Sequence, residues 1–219
     1  MLSLAEEIFL LSLLDKKDSI RIPSSISLPF VLTGAVLTEL ALSEYVKVED
    51  RRLVSCVDPE QVTNEPMRYA IEKISRSEKL KKLDHWVYLL SAKGKRVSKD
   101  ILASLIEKGI LAEKDKNHLW APPPGEDAPQ QLPARYLLKR EIRDAVFGAD
   151  SLSERTLARI EFMEACDMLD HLFTKDEIIA VRKKIKILRG SSQLPSGFLN
   201  LLDQVTEAID YAITAAITA

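Results

Sequence analysis

The chain is poor in the residues that most often carry chemistry. It holds two cysteines, Cys56 and Cys166, and three histidines, His85, His118 and His171, in 219 residues. The cysteines make no metal or redox spacing, and so low a count suits a reducing compartment. The histidines sit far apart in unlike contexts, with no His-x-x-x-His pair to hold zinc. No serine stands in a nucleophile-elbow pattern, and no glycine-rich loop offers itself to a phosphate. Carboxylates are plentiful, but they alternate with Lys and Arg as ordinary solvated helix faces. Neither catalysis nor a metal or other cofactor is expected.

A charge excess is missing too. The formal net charge is −2, which argues against a general nucleic-acid binder, since such proteins carry a basic surplus. No basic leader precedes the first apolar run, and that run contains Glu6 and Glu7, so a signal peptide is not expected. No lipidation motif is present. No apolar stretch reaches the roughly 20 residues that span a bilayer. The expected location is cytoplasmic, with any membrane contact peripheral. Hydrophobic residues make up 46% and charged residues 29% of the chain. That composition supports an ample core and one domain over residues 1–219.

The first fifty residues are the most informative. Ser3-Leu-Ala-Glu6 is a capping box, and the apolar run Ile8–Leu14 follows it, so a helix begins near Ser3. Asp15–Asp18 reads as a polar turn. From about Leu28 to Ser43 apolar residues cover nearly every face, which marks a central buried helix. Glu39 is the one charge inside it and must be either paired or functional.

Two β-hairpins are expected, at about 45–57 and 110–121, turned at Asp50–Arg52 and Asp115–Asn117. Helices are expected at Met67–Arg76, around Trp86–Leu90, and from a Ser98 cap, with a Val97–Leu102 staple, to Gly109. Residues 122–133 are rich in proline and read as a loop. The rest is helical: 134–147, 151–173 with a capping box at Ser151–Glu154, 175–189 and 197–219. The last helix has an apolar stripe and an acidic polar face, Asp203, Glu207 and Asp210, so it is expected to pack on the core and not on an anionic membrane. The class is mainly α, a helical domain with two peripheral hairpins.

Four basic clusters stand out: Lys79/Lys81/Lys82, Lys93/Lys95/Arg96/Lys99, Lys139/Arg140/Arg143, and Arg182 to Arg189. The second differs in kind, because it sits on a glycine-containing loop at a helix start, where free donors and the macrodipole favour an anion. Trp120, beside the proline loop, is a candidate membrane contact or a packing residue.

Three segments, Leu4-Ala-Glu-Glu-Ile-Phe-Leu-Leu, Gly34-Ala-Val-Leu-Thr-Glu-Leu-Ala-Leu42 and Leu105-Ile-Glu-Lys-Gly-Ile-Leu111, in this order of elements, resemble the Golgi phosphoprotein 3 family over nearly the full length. The resemblance implies a mostly helical fold that reads phosphatidylinositol 4-phosphate on membranes and engages cytosolic tails of membrane proteins. It implies headgroup positions at Ser24, Thr33, Lys95 and Ser98, where the family carries a tryptophan and three arginines. Lys95 alone keeps a cation, and lysine is not a full replacement for a bidentate arginine. Arg21 and Arg96 are the neighbours that would compensate. Leu2 is expected to open the domain directly, as in a minimal, prokaryote-like member without the family's arginine-rich leader. Three readings follow: a peripheral module for an anionic, phosphoinositide-like headgroup; a protein-interaction adaptor that kept the fold and lost the lipid; and a winged-helix-like nucleic-acid binder. The third is the weakest, because the helix after Ser98 offers only Lys99 and Lys108 against Asp100 and Glu107.

Overall fold

The structure, a computed structural model, describes residues 1–16, 19–92, 96–115, 118–120, 134–148 and 152–218. Helix α1 (Leu4–Ser12) opens on the expected capping box: Ser3 N donates to Glu6 Oε2 (2.7 Å) and Glu6 N to Ser3 Oγ (3.3 Å). Every residue of α1 is buried, including Glu6 and Glu7. Helix α2 (Leu28–Leu42) is likewise buried on nearly all sides. Pro29 sits in its first turn, where a missing N–H costs nothing.

The carboxylates fix how these helices run. Glu39, near the end of α2, accepts from Leu4 N (2.6 Å) at the start of α1 and from Arg155 (3.3 Å). The paired, structural role holds for this residue. Glu6 accepts from Ser104 and Lys108 (both 2.6 Å) at the end of α5 (Arg96–Glu107). Both α2 and α5 pack on α1 with their C-terminal ends at its beginning. Their N-terminal ends therefore point toward the pole where α1 finishes.

A sheet is built on that pole. The expected polar turn at 15–18 is instead a hairpin: β1 (Leu14–Lys16) pairs β2 (Ser19–Arg21), with 17–18 outside the described residues. The expected hairpin near 110–121 is present as β5 (Ala112–Asp115) and β6 (His118–Trp120). It joins the first to give the antiparallel order β1-β2-β6-β5, with Arg21 opposite His118. The run Leu14–Arg21 is too short and too charged to announce two strands. The hairpin at 45–57 is β3 (Val46–Glu49) with β4 (Arg52–Ser55). Its two-residue turn holds Asp50 and Arg51 at φ 47° and 63°, the mirror-image geometry that matches strand twist.

Helices α3 (Glu65–Ser75) and α4 (Leu83–Ala92) follow the hairpin. Helix α5 starts at Arg96, so Ser98 lies within its first turn and is not the cap, and Val97 is a buried helical residue, not a staple before the cap. Gly109 stops the chain at φ +66°, as expected. The proline-rich stretch lies outside the described residues. Helix α6 (Ala134–Phe147) is followed by α7 (Glu154–Ala165), which Ser153 caps by accepting from Thr156 N. The expected cap at Ser151 falls outside the described residues. The single helix expected over 151–173 is two pieces, because Asp167 takes φ 56° after α7 and a short 3-10 turn, Leu169–His171, follows.

Helices α8 (Lys175–Arg189) and α9 (Ser196–Thr218) complete the chain. The α9 stripe, from Phe198 to Ala212, is buried against α2, α4 and α7, so core packing is its role. Gly34 of α2 permits the closest approach: a Cβ there would meet Ile209 Cδ1 at 2.5 Å. One contiguous cluster of buried apolar residues runs from Leu4 to Ala212.

Candidate functional site

The pole at the end of α1 gathers most of the residues singled out above. Arg21 is exposed on β2, opposite Leu14 and His118. Ser24 is exposed on the link into α2. Arg96 and Ser98 stand at the start of α5. Lys95 lies outside the described residues. Trp120 ends β6, and only its backbone is described.

Among the described residues, the family headgroup positions differ in their access to solvent. Thr33 is fully buried in α2, and its hydroxyl donates to Pro29 O (2.9 Å). No headgroup reaches it without opening the helix packing. Arg96 is exposed but engaged: it pairs with Asp100 (3.2 Å) and Glu65 (3.5 Å), and its guanidinium lies 4.2 Å over the Tyr69 ring. Ser98 is half-buried within the first helical turn. Arg21 has no ion-pair partner among the described residues.

The same pole carries a feature that sequence reasoning missed. Leu14, Ile22 and Ile26 are exposed around Arg21, Ile26 to 64%. Arg135, at the start of α6, donates to Leu13 O, which brings exposed Tyr136 and Leu137 to the same pole. Arg140, one turn on, is exposed and free of ion pairs among the described residues. Large apolar side chains grouped on a surface and rimmed by cations mark an interaction face. A signal for it was present: Ile22 and Ile26 stand among Pro23 and three serines, in a segment too broken to bury them in a helix.

The third and fourth basic clusters are mostly spent on structure. Arg143 forms a forked pair with Glu177 (2.6 and 2.9 Å) and donates to Leu172 O. The Arg143 guanidinium, helped by Thr174 N–H, holds the Glu177 carboxyl down at about 2. Arg182 pairs with Glu164 (2.7 Å). Arg189 pairs with Glu161 (2.6 Å) and Asp203 (2.7 Å). Lys184 caps the last carbonyls of α6. Among the described residues no group of His, Cys, Asp and Glu is placed to hold a metal ion. No helix among them is long and apolar enough to cross a membrane.

The family model described as Golgi phosphoprotein 3 (GPP34) matches residues 4–216. Among curated proteins no match to the chain is found.

Proposed function

This chain belongs to the Golgi phosphoprotein 3 (GPP34) family, and from that premise we propose that it is a peripheral module that docks on anionic phospholipid surfaces. One observation carries the reading: exposed Leu14 pairs with Arg21 in the hairpin that follows α1, exposed Ile22 and Ile26 come next in the chain, and Arg135 ties the start of α6, with exposed Tyr136 and Leu137, to Leu13 O, while Arg21 and Arg140 have no ion pair among the described residues. Apolar side chains insert at the headgroup boundary while cations meet the negative leaflet, each worth about 1 kcal/mol near the surface. Shallow insertion with paired charges suits reversible binding.

The test is sedimentation with phosphatidylcholine vesicles, alone or containing phosphatidylserine or charge-matched phosphatidylinositol 4-phosphate, at low salt. Binding is expected only to the anionic vesicles, and the double change Arg21→Glu, Arg140→Glu lowers it by about tenfold or more. No sedimentation with either anionic mixture, or binding indifferent to the double change, overturns the proposal.

The buried Thr33 hydroxyl and the occupied Arg96 favour a second reading beside it, an adaptor that has lost a stereospecific phosphoinositide pocket. On that reading phosphatidylinositol 4-phosphate binds no better than charge-matched phosphatidylserine. A preference beyond about tenfold restores the headgroup pocket, because a charge-only surface cannot produce it.

A further inference from the structure

Away from that pole, the outer edge of β4 is left half-used. Cys56 N donates to Tyr45 O (2.9 Å), and the ladder pairs Lys47 with Val54 and Glu49 with Arg52. In an antiparallel pair alternate residues turn their backbone groups to the partner strand. Arg52, Val54 and Cys56 therefore face β3, and Leu53 and Ser55 face outward. Residues 81–83 take the first part of that outer edge. Leu53 N donates to Lys81 O (3.2 Å), Leu83 N donates to Arg51 O (2.8 Å), and Arg52 bridges Lys82. The pairing then stops, although β4 continues. The N–H and C=O of Ser55 and the N–H of Val57 have no partner among the described residues.

A cavity of about 470 Å³ opens along this unused edge, lined among others by Ser55, Val57, Ile74, Lys79, Leu80 and Trp86. Ile74 and Trp86 are buried, Leu80 is an exposed rim, and the Trp86 indole N–H has no acceptor. Lys79 lines the opening, and it and the cations next to its lining segments in the chain, Arg52, Arg76, Lys81 and Lys82, carry no ion pair among the described residues. Of the neighbouring carboxylates, Asp58 lines the cavity and accepts from Glu60 N (3.0 Å), and Glu60 and Glu78 are exposed next to its lining segments in the chain. The cations outnumber them.

We propose that the outer edge of β4 and this cavity form a docking site for an extended acidic peptide segment of a partner protein, which adds to β3–β4 as a further strand. Unpaired main-chain groups supply the strand pairing, and pockets for alternate side chains supply the selection. One set of peptide side chains enters the cavity over Ile74 and Trp86. The other faces the lysines, where carboxylates complement the charge. The site shares no residue with the membrane-facing pole, so the two proposals stand or fall separately.

The probe is a short fluorescent, N-acetylated peptide of alternating valine and glutamate, titrated against the full chain by fluorescence anisotropy. Saturable binding is expected, and a version N-methylated at alternate amides does not bind. Ser55→Pro removes the outward N–H while leaving the β3 ladder intact, because that N–H does not face β3, and weakens binding by about tenfold. Lys79→Glu, an exposed change that leaves folding untouched, weakens it by a similar factor. A peptide that fails to bind overturns the proposal. So does binding that ignores N-methylation and both substitutions. A concentration-dependent dimer abolished by Ser55→Pro would assign the edge to a second copy of this chain and overturn it as well.

Discussion

At the scale of single residues, the buried charges bear the most weight. Glu7 accepts from Arg159 through both oxygens (2.8 Å each) and from Arg155 (2.9 Å). Arg159 is nearly sealed, and Arg155 also donates to Leu2 O (2.8 Å). Truncating one member strands its partner's charge in the core. Arg159→Ala is expected to cost about 3–5 kcal/mol in urea unfolding, and Arg159→Met with Glu7→Gln far less than the sum of the single changes. Glu177 makes a different prediction. Its folded carboxyl sits at about 2 against an ordinary 4.5. A depressed carboxyl stabilises the fold fully above its unfolded value and loses that contribution as pH falls through the folded value. Melting temperature should therefore decline between pH 4.5 and 2 less steeply in Glu177→Gln than in the parent. Glutamine still closes the capping box with Thr174, so the comparison isolates the charge.

At the scale of elements, the α2–α9 seam is set by Gly34. Alanine there gains about 1 kcal/mol of helix propensity but drives a methyl into Ile209, at a cost of about 1–3 kcal/mol. Ile209 is fully buried and packed, so it has little room to yield. Gly34→Ala is expected to lower the thermal midpoint, and adding Ile209→Val, which removes the Cδ1 atom met at 2.5 Å, to restore it. Failure of the second change to rescue the first would mean that the seam shifts as a unit. The long periodic elements, α2 and α9 among them, were legible in the sequence because burial of one stripe or of every face leaves a pattern. The β1–β2 hairpin was not, since Leu14–Arg21 is stabilised by pairing with β6, a contact made about a hundred residues away along the chain. A helix start erred for a related reason. Ser98 is a good capping residue, yet Arg96 already stands in the helix. At Thr33 the sequence shows which residue stands at the family's arginine position, but not that its side chain is buried with its hydroxyl turned back on Pro29 O.

At the scale of the whole molecule, a net charge of −2 forbids attraction to an anionic surface by charge alone. On the proposed function, docking must come from an uneven distribution, with the cations that count gathered at one end. The pole at the end of α1 supplies Arg21 and Arg140 beside exposed apolar side chains. Helix α8 carries the exposed Lys183 and Lys186, and it lies against the opposite end of α6, held by Arg143–Glu177 and by Lys184 on the last α6 carbonyls. Reversing two charges in either place changes the net charge equally. If overall charge governs binding, Lys183→Glu with Lys186→Glu will weaken vesicle binding as much as Arg21→Glu with Arg140→Glu. If the pole governs it, the α8 pair will shift affinity by less than about twofold, and the pole pair by about tenfold or more. Adding Ile26→Asn to the intact pole should separate insertion from attraction, because it removes an apolar contact at the surface without changing the charge while both arginines remain. Binding should then persist at low salt and vanish at about 0.15 M salt, where screening removes what charge alone can hold.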